Sequence, residues 1–253
     1  MASLLGYYRR LLRDSARSVA KGLALPLVRR DAVRSGAHAL PYPLATYAPW
    51  QTDAEFAAAW ERVRGNTLVD EQRCWELWTL LGELREVPGA LLEVGVWRGG
   101  TGALMAMRAR ALGIADPIYL SDTWEGVVKA GSADPSYRGG EHSDASERVV
   151  RALLESLRLE GVLLLKGIFP DDSASAIEAE AFRLCHVDVD VYESARATFD
   201  WVWARLSAGG VVVFDDYGWP ATVGVARFVD EQRMRPDRLV VHNLNGHGLI
   251  VKR

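Results

Sequence analysis

Short apolar segments alternate with longer amphipathic segments from residue 90 to residue 253. Runs of strand length recur at residues 91–96, 118–122, 162–165, 184–189, 211–214, 239–243 and 249–252. Segments with helical spacing of apolar positions lie between them, at residues 102–112, 144–157, 174–181, 194–206 and 221–233. Continuous apolar strands that alternate with helices are typical of a parallel sheet covered by helices on both faces. The pattern therefore predicts an α/β domain over residues 90–253.

Two further helical patterns precede this domain, at residues 53–64 and 72–85, and Pro88-Gly89 marks their end. They carry Trp60, Trp75 and Trp78, which are more often core residues than ligand platforms. We interpret residues 53–89 as a helical lid or cap segment. Such a segment either covers a substrate site or forms an arm that packs on a neighbouring subunit.

The first 52 residues predict a basic amphipathic helix at residues 3–21 followed by a proline-containing connector. Residues 1–35 hold eight cationic side chains against two acidic ones. The simpler interpretation is a solvated helix that packs its apolar stripe on the main domain or on a second subunit. Binding at a membrane surface is the alternative. We expect a homo-oligomer.

Composition narrows the class of protein. The chain has 253 residues, 49% of them hydrophobic, and a formal net charge of −3, so nucleic acid is not an expected partner. No apolar run approaches the roughly 18 to 20 residues of a membrane span, so stable membrane insertion is not expected. The two cysteines, Cys74 and Cys185, lack the paired spacing of a disulfide framework. These features predict a cytoplasmic protein with reduced thiols.

A glycine-rich turn follows the strand that begins the α/β domain. Residues 93–102 contain four glycines and run into a predicted helix, whose N-terminal amides can approach a polar cofactor group. Trp97 stands where a dinucleotide fingerprint needs glycine, which disfavours NAD(P), and Glu93 suits a cofactor that carries an ammonium group or hydroxyls. Asp122 ends the next strand, where a carboxylate either accepts ribose hydroxyls or caps a turn. Together with the glycine turn, it favours a nucleoside.

Four carboxylates follow two later strands. Asp188 and Asp190 follow the fourth strand, and Asp215 and Asp216 follow the fifth. Because parallel strands present their carboxyl ends at one edge of the sheet, we expect these side chains to converge. Their repulsion is relieved by protonation, by solvent or by a cation, and an all-oxygen set selects a hard divalent ion such as Mg²⁺ or Ca²⁺.

Several of these stretches together resemble the macrocin O-methyltransferase family. The matching stretches are residues 93–102, 122–126, 139–142, 187–194 and 206–217, and the likeness covers residues 65–253. The family's enzymes depend on S-adenosylmethionine and Mg²⁺ and methylate sugar hydroxyls of natural products. The resemblance implies a Rossmann-like class I methyltransferase fold with a mostly parallel seven-stranded sheet. It also implies that residues 90–253 form the catalytic domain that binds S-adenosylmethionine.

The resemblance also implies roles for individual residues. The implied cofactor-binding residues are Glu93, Gly95, Thr101, Asp122, Thr123 and Trp124, with Asp122 at the ribose and Trp124 near the adenine. The implied metal ligands are Asp188, Asp215 and Asp216. Asp190 is the candidate general base, and His142 is either an alternative base or a residue of the cofactor loop. We interpret His186 as a hydrogen-bonded core histidine. His242 and His247 lie near a C-terminal hairpin, from which either could reach the acceptor pocket, and we assign a role to neither.

The expected function is methylation of a sugar hydroxyl, on a natural-product glycoside or a nucleotide-linked sugar. A metal-dependent glycosyltransferase is the alternative, because Asp188-Val189-Asp190 has the DxD form that holds a nucleotide-sugar diphosphate in such enzymes. The second acidic pair and the glycine turn fit that alternative less well. A binding or scaffolding subunit is disfavoured because the carboxylate set is complete.

Overall fold

The computed structural model of the protein describes residues 47–178 and 180–253. Six helices are α1 (Ala54–Val63), α2 (Glu71–Glu83), α3 (Gly100–Ala111), α4 (Glu147–Ser156), α5 (Tyr192–Arg205) and α6 (Val223–Glu231). Seven strands are β1 (Ala90–Val94), β2 (Ile118–Asp122), β3 (Val162–Lys166), β4 (Phe182–Val187), β5 (Leu206–Phe214), β6 (Arg238–His242) and β7 (Gly248–Lys252). The predicted basic helix at residues 3–21 lies outside the described residues.

All seven strands form one sheet in the order β3-β2-β1-β4-β5-β7-β6. Strands β1 to β5 pair in parallel, and β7 pairs antiparallel with both β5 and β6. The chain reverses its direction of travel across the sheet between β1 and β4, which is the switch point where such sheets open a crevice for ligands. The predicted α/β fold with a mostly parallel sheet of seven strands is confirmed.

Helices cover both faces of the sheet and bury two hydrophobic clusters. Helices α1 to α4 pack on one face, and α5 and α6 pack on the other. Residues 53–89 share the first cluster with the sheet, because Phe56, Leu77 and Leu81 belong to the same buried set as Leu91. Within the described residues, no helix is long and apolar enough to cross a membrane.

Two local predictions are wrong. Residues 174–181 form only a short 3-10 turn, Ala174–Ile177, before β4 begins at Phe182. The strand predicted at residues 211–214 is longer in the structure, because β5 begins at Leu206 directly after α5 and includes Gly209 and Gly210. The pairing of β4 with β5 skips residues between Leu206 and Val211, so the glycines form an irregularity of the strand. Gly209 has φ +78, a conformation that suits such a bulge.

Gly95 permits the close approach of two strand ends. It follows β1 with φ +88, and a Cβ atom there would overlap the carbonyl oxygen of Asp188. The backbone hydrogen bond from Asp188 N to Val94 O, 2.9 Å long, holds the two ends together. A side chain at this position therefore conflicts with the backbone that follows β4.

Gly95→Ala is expected to lower the free energy of unfolding by about 3 kcal/mol or more, from left-handed strain plus the overlap with Asp188. Urea denaturation measures this loss. Gly113→Ala is the matched control, because Gly113 also has positive φ but a Cβ there meets nothing within 4 Å. The control should lose only about 1–2 kcal/mol. Equal losses in the two variants would contradict the role of the close approach.

Candidate active site

A cavity of about 480 Å³ opens at the carboxyl ends of the parallel strands, beside the switch point. The glycine turn after β1, the end of β2 and the acidic residues after β4 and β5 line it. Thr67 and Leu68, between α1 and α2, also border it, so the segment 53–89 reaches the cavity. A lid function for that segment stays a prediction. The size and position suit a small-molecule site.

Asp122 organises the glycine turn. Its Oδ2 accepts hydrogen bonds from the backbone amides of Val96 (2.7 Å) and Trp97 (2.8 Å), and its Oδ1 accepts one from Trp124 N (2.7 Å). The capping interpretation of Asp122 is therefore confirmed. Asp122 also lines the cavity. Its contact with a ribose stays a prediction.

The structure brings four of the six predicted cofactor residues to the cavity: Gly95, Thr101, Asp122 and Thr123. The carboxylate of Glu93 lies behind this wall, and its Oε1 is 3.0 Å from Nδ1 of His186. Trp124 packs in the core and donates from Nε1 to Trp97 O, 3.2 Å away. Neither Glu93 nor Trp124 lines the cavity, whereas Trp97 does.

The predicted metal ligands converge. One carboxylate oxygen from each of Asp188, Asp215 and Asp216 lies within 4.8 Å of the others. The cluster is rigid on one side, because Asp216 Oδ2 accepts from the backbone amides of Val189 (3.1 Å) and Asp190 (2.7 Å). Asp190 has φ +65, which turns the chain sharply after Asp188. Two strand ends thus present three carboxylates to one point.

The carboxylates of the cluster differ in the direction in which their pKa values are shifted. Burial, together with the charges of the neighbouring aspartates, raises the pKa of Asp188 and of Asp216 well above the ordinary value. Burial also acts to raise the pKa of Asp215, but the imidazoles of His186 and His247 and the charge of Arg73 lower it well below its usual range. The charge of Arg73 acts to lower the pKa of Asp188 and of Asp216 but does not offset burial and the neighbouring carboxylates.

Asp190 borders the cavity next to Tyr137, a residue that the sequence did not single out. Tyr137 donates its hydroxyl proton to Asp190 Oδ1 at 2.5 Å. Burial raises the pKa of Asp190, although the bond from Tyr137 opposes this shift. His142 also lines the cavity, and its charge acts on Asp190 in the same sense as the Tyr137 bond. Both candidate bases therefore lie at the same wall.

Arg73 and His247 were also missed as site residues. Arg73, on α2, forms ion pairs with Asp70 and Asp215 and lies over the ring of Trp219, 4.8 Å from its centroid. His247 Nε2 is 3.0 Å from Asp215 Oδ1. The antiparallel pairing of Phe214 with Gly248 places these neighbouring residues together, and that pairing is not readable from one sequence. His186 is a buried, hydrogen-bonded core histidine, as predicted.

Solved structures share this fold. The O-methyltransferase NovP matches with a TM-score of 0.64 and 24% identity, over 74% of this chain and 82% of that chain. The calicheamicin methyltransferase CalS11 matches with a TM-score of 0.62 and 15% identity, over 86% of this chain and 99% of that chain. The class I methyltransferase fold is therefore confirmed.

Curated relatives are methyltransferases of natural-product biosynthesis. The 8-demethyl-8-(2,3-dimethoxy-alpha-L-rhamnosyl)-tetracenomycin-C 4'-O-methyltransferase of Streptomyces olivaceus is 35% identical over 52% of this chain and 54% of that protein. The demethyldecarbamoylnovobiocin O-methyltransferase of Streptomyces niveus is 32% identical over 52% of this chain and 53% of that protein. The chain thus spans about half the length of these relatives.

A family model matches most of the chain. It covers residues 45–244, which include the glycine turn, both acidic pairs and the loops that border the cavity. The chain therefore belongs to the macrocin O-methyltransferase family.

Proposed function

We propose that this protein is an S-adenosylmethionine-dependent O-methyltransferase that acts on a hydroxyl of a sugar moiety. The acceptor is a natural-product glycoside or a nucleotide-linked sugar. The observation that carries the proposal is one cavity whose two halves differ in chemistry. A glycine turn at a helix N-terminus forms one half, and converging carboxylates form the other. The relatives support the substrate class, because one of them is named as the methyltransferase of a rhamnosyl-bearing tetracenomycin.

The glycine-turn half suits the methyl donor. Gly95 has no side chain to cover the backbone, and Thr101 lies in the first turn of α3. Asp122 ends β2, Thr123 follows it, and both line the same cavity. A structural neighbour from Podospora anserina, with a TM-score of 0.55, is described as bound to SAH, the product form of this donor. We therefore assign these four residues to S-adenosylmethionine.

The carboxylate half fits a hard divalent cation such as Mg²⁺. Its donors are all oxygens, and a bound cation would relieve the burial and mutual repulsion that raise the pKa of Asp188 and of Asp216. Asp188, Asp215 and Asp216 would hold the ion. A bound cation would orient neighbouring hydroxyls of the sugar and lower the pKa of the one to be methylated.

The chain's own residues supply the remaining catalysis. An alkyl hydroxyl is a poor nucleophile at neutral pH, so a base must take its proton. Asp190 Oδ1 is held by Tyr137 at the cavity wall, and burial raises its pKa toward the range that suits a general base. His142 lies on the same wall as the alternative base. Binding of donor and acceptor in one cavity would also align the acceptor hydroxyl with the methyl group.

The glycosyltransferase alternative has no observation in its favour. In a DxD motif both aspartates serve the nucleotide-sugar diphosphate. Here Asp188 joins the carboxylate cluster, whereas Asp190 pairs with Tyr137. Family membership and the class I fold also favour methyl transfer.

The test is a transfer assay with S-adenosylmethionine and a panel of rhamnosylated compounds and nucleotide-linked rhamnose. We expect SAH release and an acceptor heavier by one methylene group. We also expect EDTA to abolish turnover and Mg²⁺ to restore it. Full turnover after EDTA treatment would remove the metal from the mechanism. Tight binding of a nucleoside diphosphate without binding of SAH would favour glycosyl transfer instead.

A further inference from the structure

The carboxylate of Asp215 is held from behind by a buried chain of side chains. His247 is buried, with Nε2 3.0 Å from Asp215 Oδ1 and Nδ1 2.7 Å from Glu76 Oε2. Glu76 also accepts hydrogen bonds from the side-chain amides of Asn243 and Asn245, in the turn between β6 and β7. These polar contacts fix the line from Glu76 through His247 to Asp215.

A second imidazole approaches the same carboxylate oxygen. Nε2 of His186 lies 3.5 Å from Asp215 Oδ1, and Glu93 orients that ring through Nδ1. Asp215 Oδ1 therefore faces two histidine rings, each turned by a glutamate. A histidine whose other nitrogen binds a carboxylate keeps a fixed ring orientation. The carboxylate plane of Asp215 is accordingly set by groups outside the cavity.

Helix α2 contributes to this arrangement twice. Arg73 and Glu76 lie three residues apart, which places them on one face of the helix. Arg73 pairs with Asp215 Oδ2 directly, and Glu76 reaches Asp215 Oδ1 through His247. Although burial acts to raise the pKa of Glu76, its bonds from His247 and the two asparagines lower it, so Glu76 is ionised. The helix thus acts on both oxygens of one predicted metal ligand, on Oδ2 directly and on Oδ1 through His247.

We infer that Glu76 and His247 are positioning residues of the cation site, and that helix α2 is part of the catalytic apparatus as well as of the hydrophobic core. They orient Asp215 so that it completes the set with Asp188 and Asp216. The inference rests on the proposed cation site. Outer groups that orient a metal ligand typically change metal affinity or activity by about 10- to 100-fold when they are replaced.

The experiment measures cation binding without turnover. Mn²⁺, which is visible by electron paramagnetic resonance, replaces Mg²⁺ as the probe, and calorimetry measures the Kd of SAH. We expect His247→Leu to raise the Mn²⁺ Kd about 10- to 100-fold, and Glu76→Gln to raise it about 10-fold. The SAH Kd should not change. His247→Gln should recover part of the Mn²⁺ affinity, because its amide nitrogen can donate to Asp215 as Nε2 does.

Glu83→Gln is the matched control, because Glu83 is an exposed glutamate on the same helix. It should bind Mn²⁺ and SAH as the wild type does. If His247→Leu does not fold, Glu76→Gln and His247→Gln decide the question. Folded variants with wild-type Mn²⁺ affinity overturn the inference, and so does an equal loss of Mn²⁺ and SAH affinity, which indicates a merely structural role.

The outcomes separate this inference from the proposed function. The proposed function alone is overturned if the Mn²⁺ affinity depends on Glu76 and His247 as expected but the wild-type protein transfers no methyl group. Methyl transfer by a protein whose variants keep full Mn²⁺ affinity overturns this inference alone. A wild-type protein that binds no Mn²⁺ overturns it whatever the transfer assay gives.

Discussion

Replacing Asp188 with asparagine is expected to lower methyl transfer by about 10³-fold or more while it stabilises the cation-free protein. The loss follows because the cation contributes several kcal/mol to the transition state, and each 1.36 kcal/mol is tenfold in rate. The gain in stability follows because burial and neighbouring charges raise the pKa of Asp188 in the folded state. A carboxylate with a raised pKa opposes folding while it is ionised, so stability is lost as pH rises through that pKa.

Two measurements at neutral pH check this expectation. Methyl transfer is measured with Mg²⁺ present, and thermal unfolding is measured in EDTA. Removing one repulsive charge worth about 1 kcal/mol raises the Tm by about 2–4 °C in a domain of this size. Asp200→Asn is the control, because Asp200 is exposed on α5 and pairs with Arg196 at the surface. An Asp188→Asn protein with wild-type turnover would contradict the cation site. A lower Tm would contradict the repulsion.

Replacing Asp190 with asparagine is expected to lower kcat by about 10²- to 10⁴-fold, which is the usual contribution of a general base. Binding of SAH and Mn²⁺ should stay as in the wild type, since Asp190 is outside the carboxylate cluster. Single-turnover kinetics measure the step. Because the amide oxygen of the introduced asparagine would still accept the bond from Tyr137, the wall of the cavity is retained in the variant.

His142→Gln is the companion variant, because His142 lines the same wall and is the other candidate base. If Asp190 is the base, the His142 variant keeps most of its kcat. A large loss in the His142 variant with little loss in the Asp190 variant would assign the proton transfer to His142. Equal and small losses in both would place the base elsewhere.

The sequence predicted the parts of the site that follow strands. Asp188, Asp215 and Asp216 converge because they come directly after adjacent parallel strands, and strand ends are readable from apolar runs. The glycine turn and Asp122 were found for the same reason. The sequence pattern indicates that two strands are neighbours only where functional side chains follow both of them. The prediction of the site therefore depended mostly on the acidic residues after β4 and β5.

The residues that were missed reach the site through tertiary packing. Tyr137 lies in a long loop, and no local pattern sets where its hydroxyl points. Arg73 lies on the buried face of an amphipathic helix. In the sequence, a cationic residue at such a position only interrupts the apolar stripe and does not indicate a site. The family resemblance implies that Glu93 and Trp124 contact the cofactor. Their side chains point into the core instead.

The division of the cavity between strand ends and loops has a consequence for acceptor choice. The carboxylates and the glycine turn are anchored in the sheet, whereas Tyr137, His142 and Trp219 reach the cavity from the loops at residues 125–143 and 217–222. Loops tolerate sequence change far better than packed strands do. Transplanting these two loops between family members is thus a route to new regiochemistry that leaves the carboxylate cluster and the glycine turn in place.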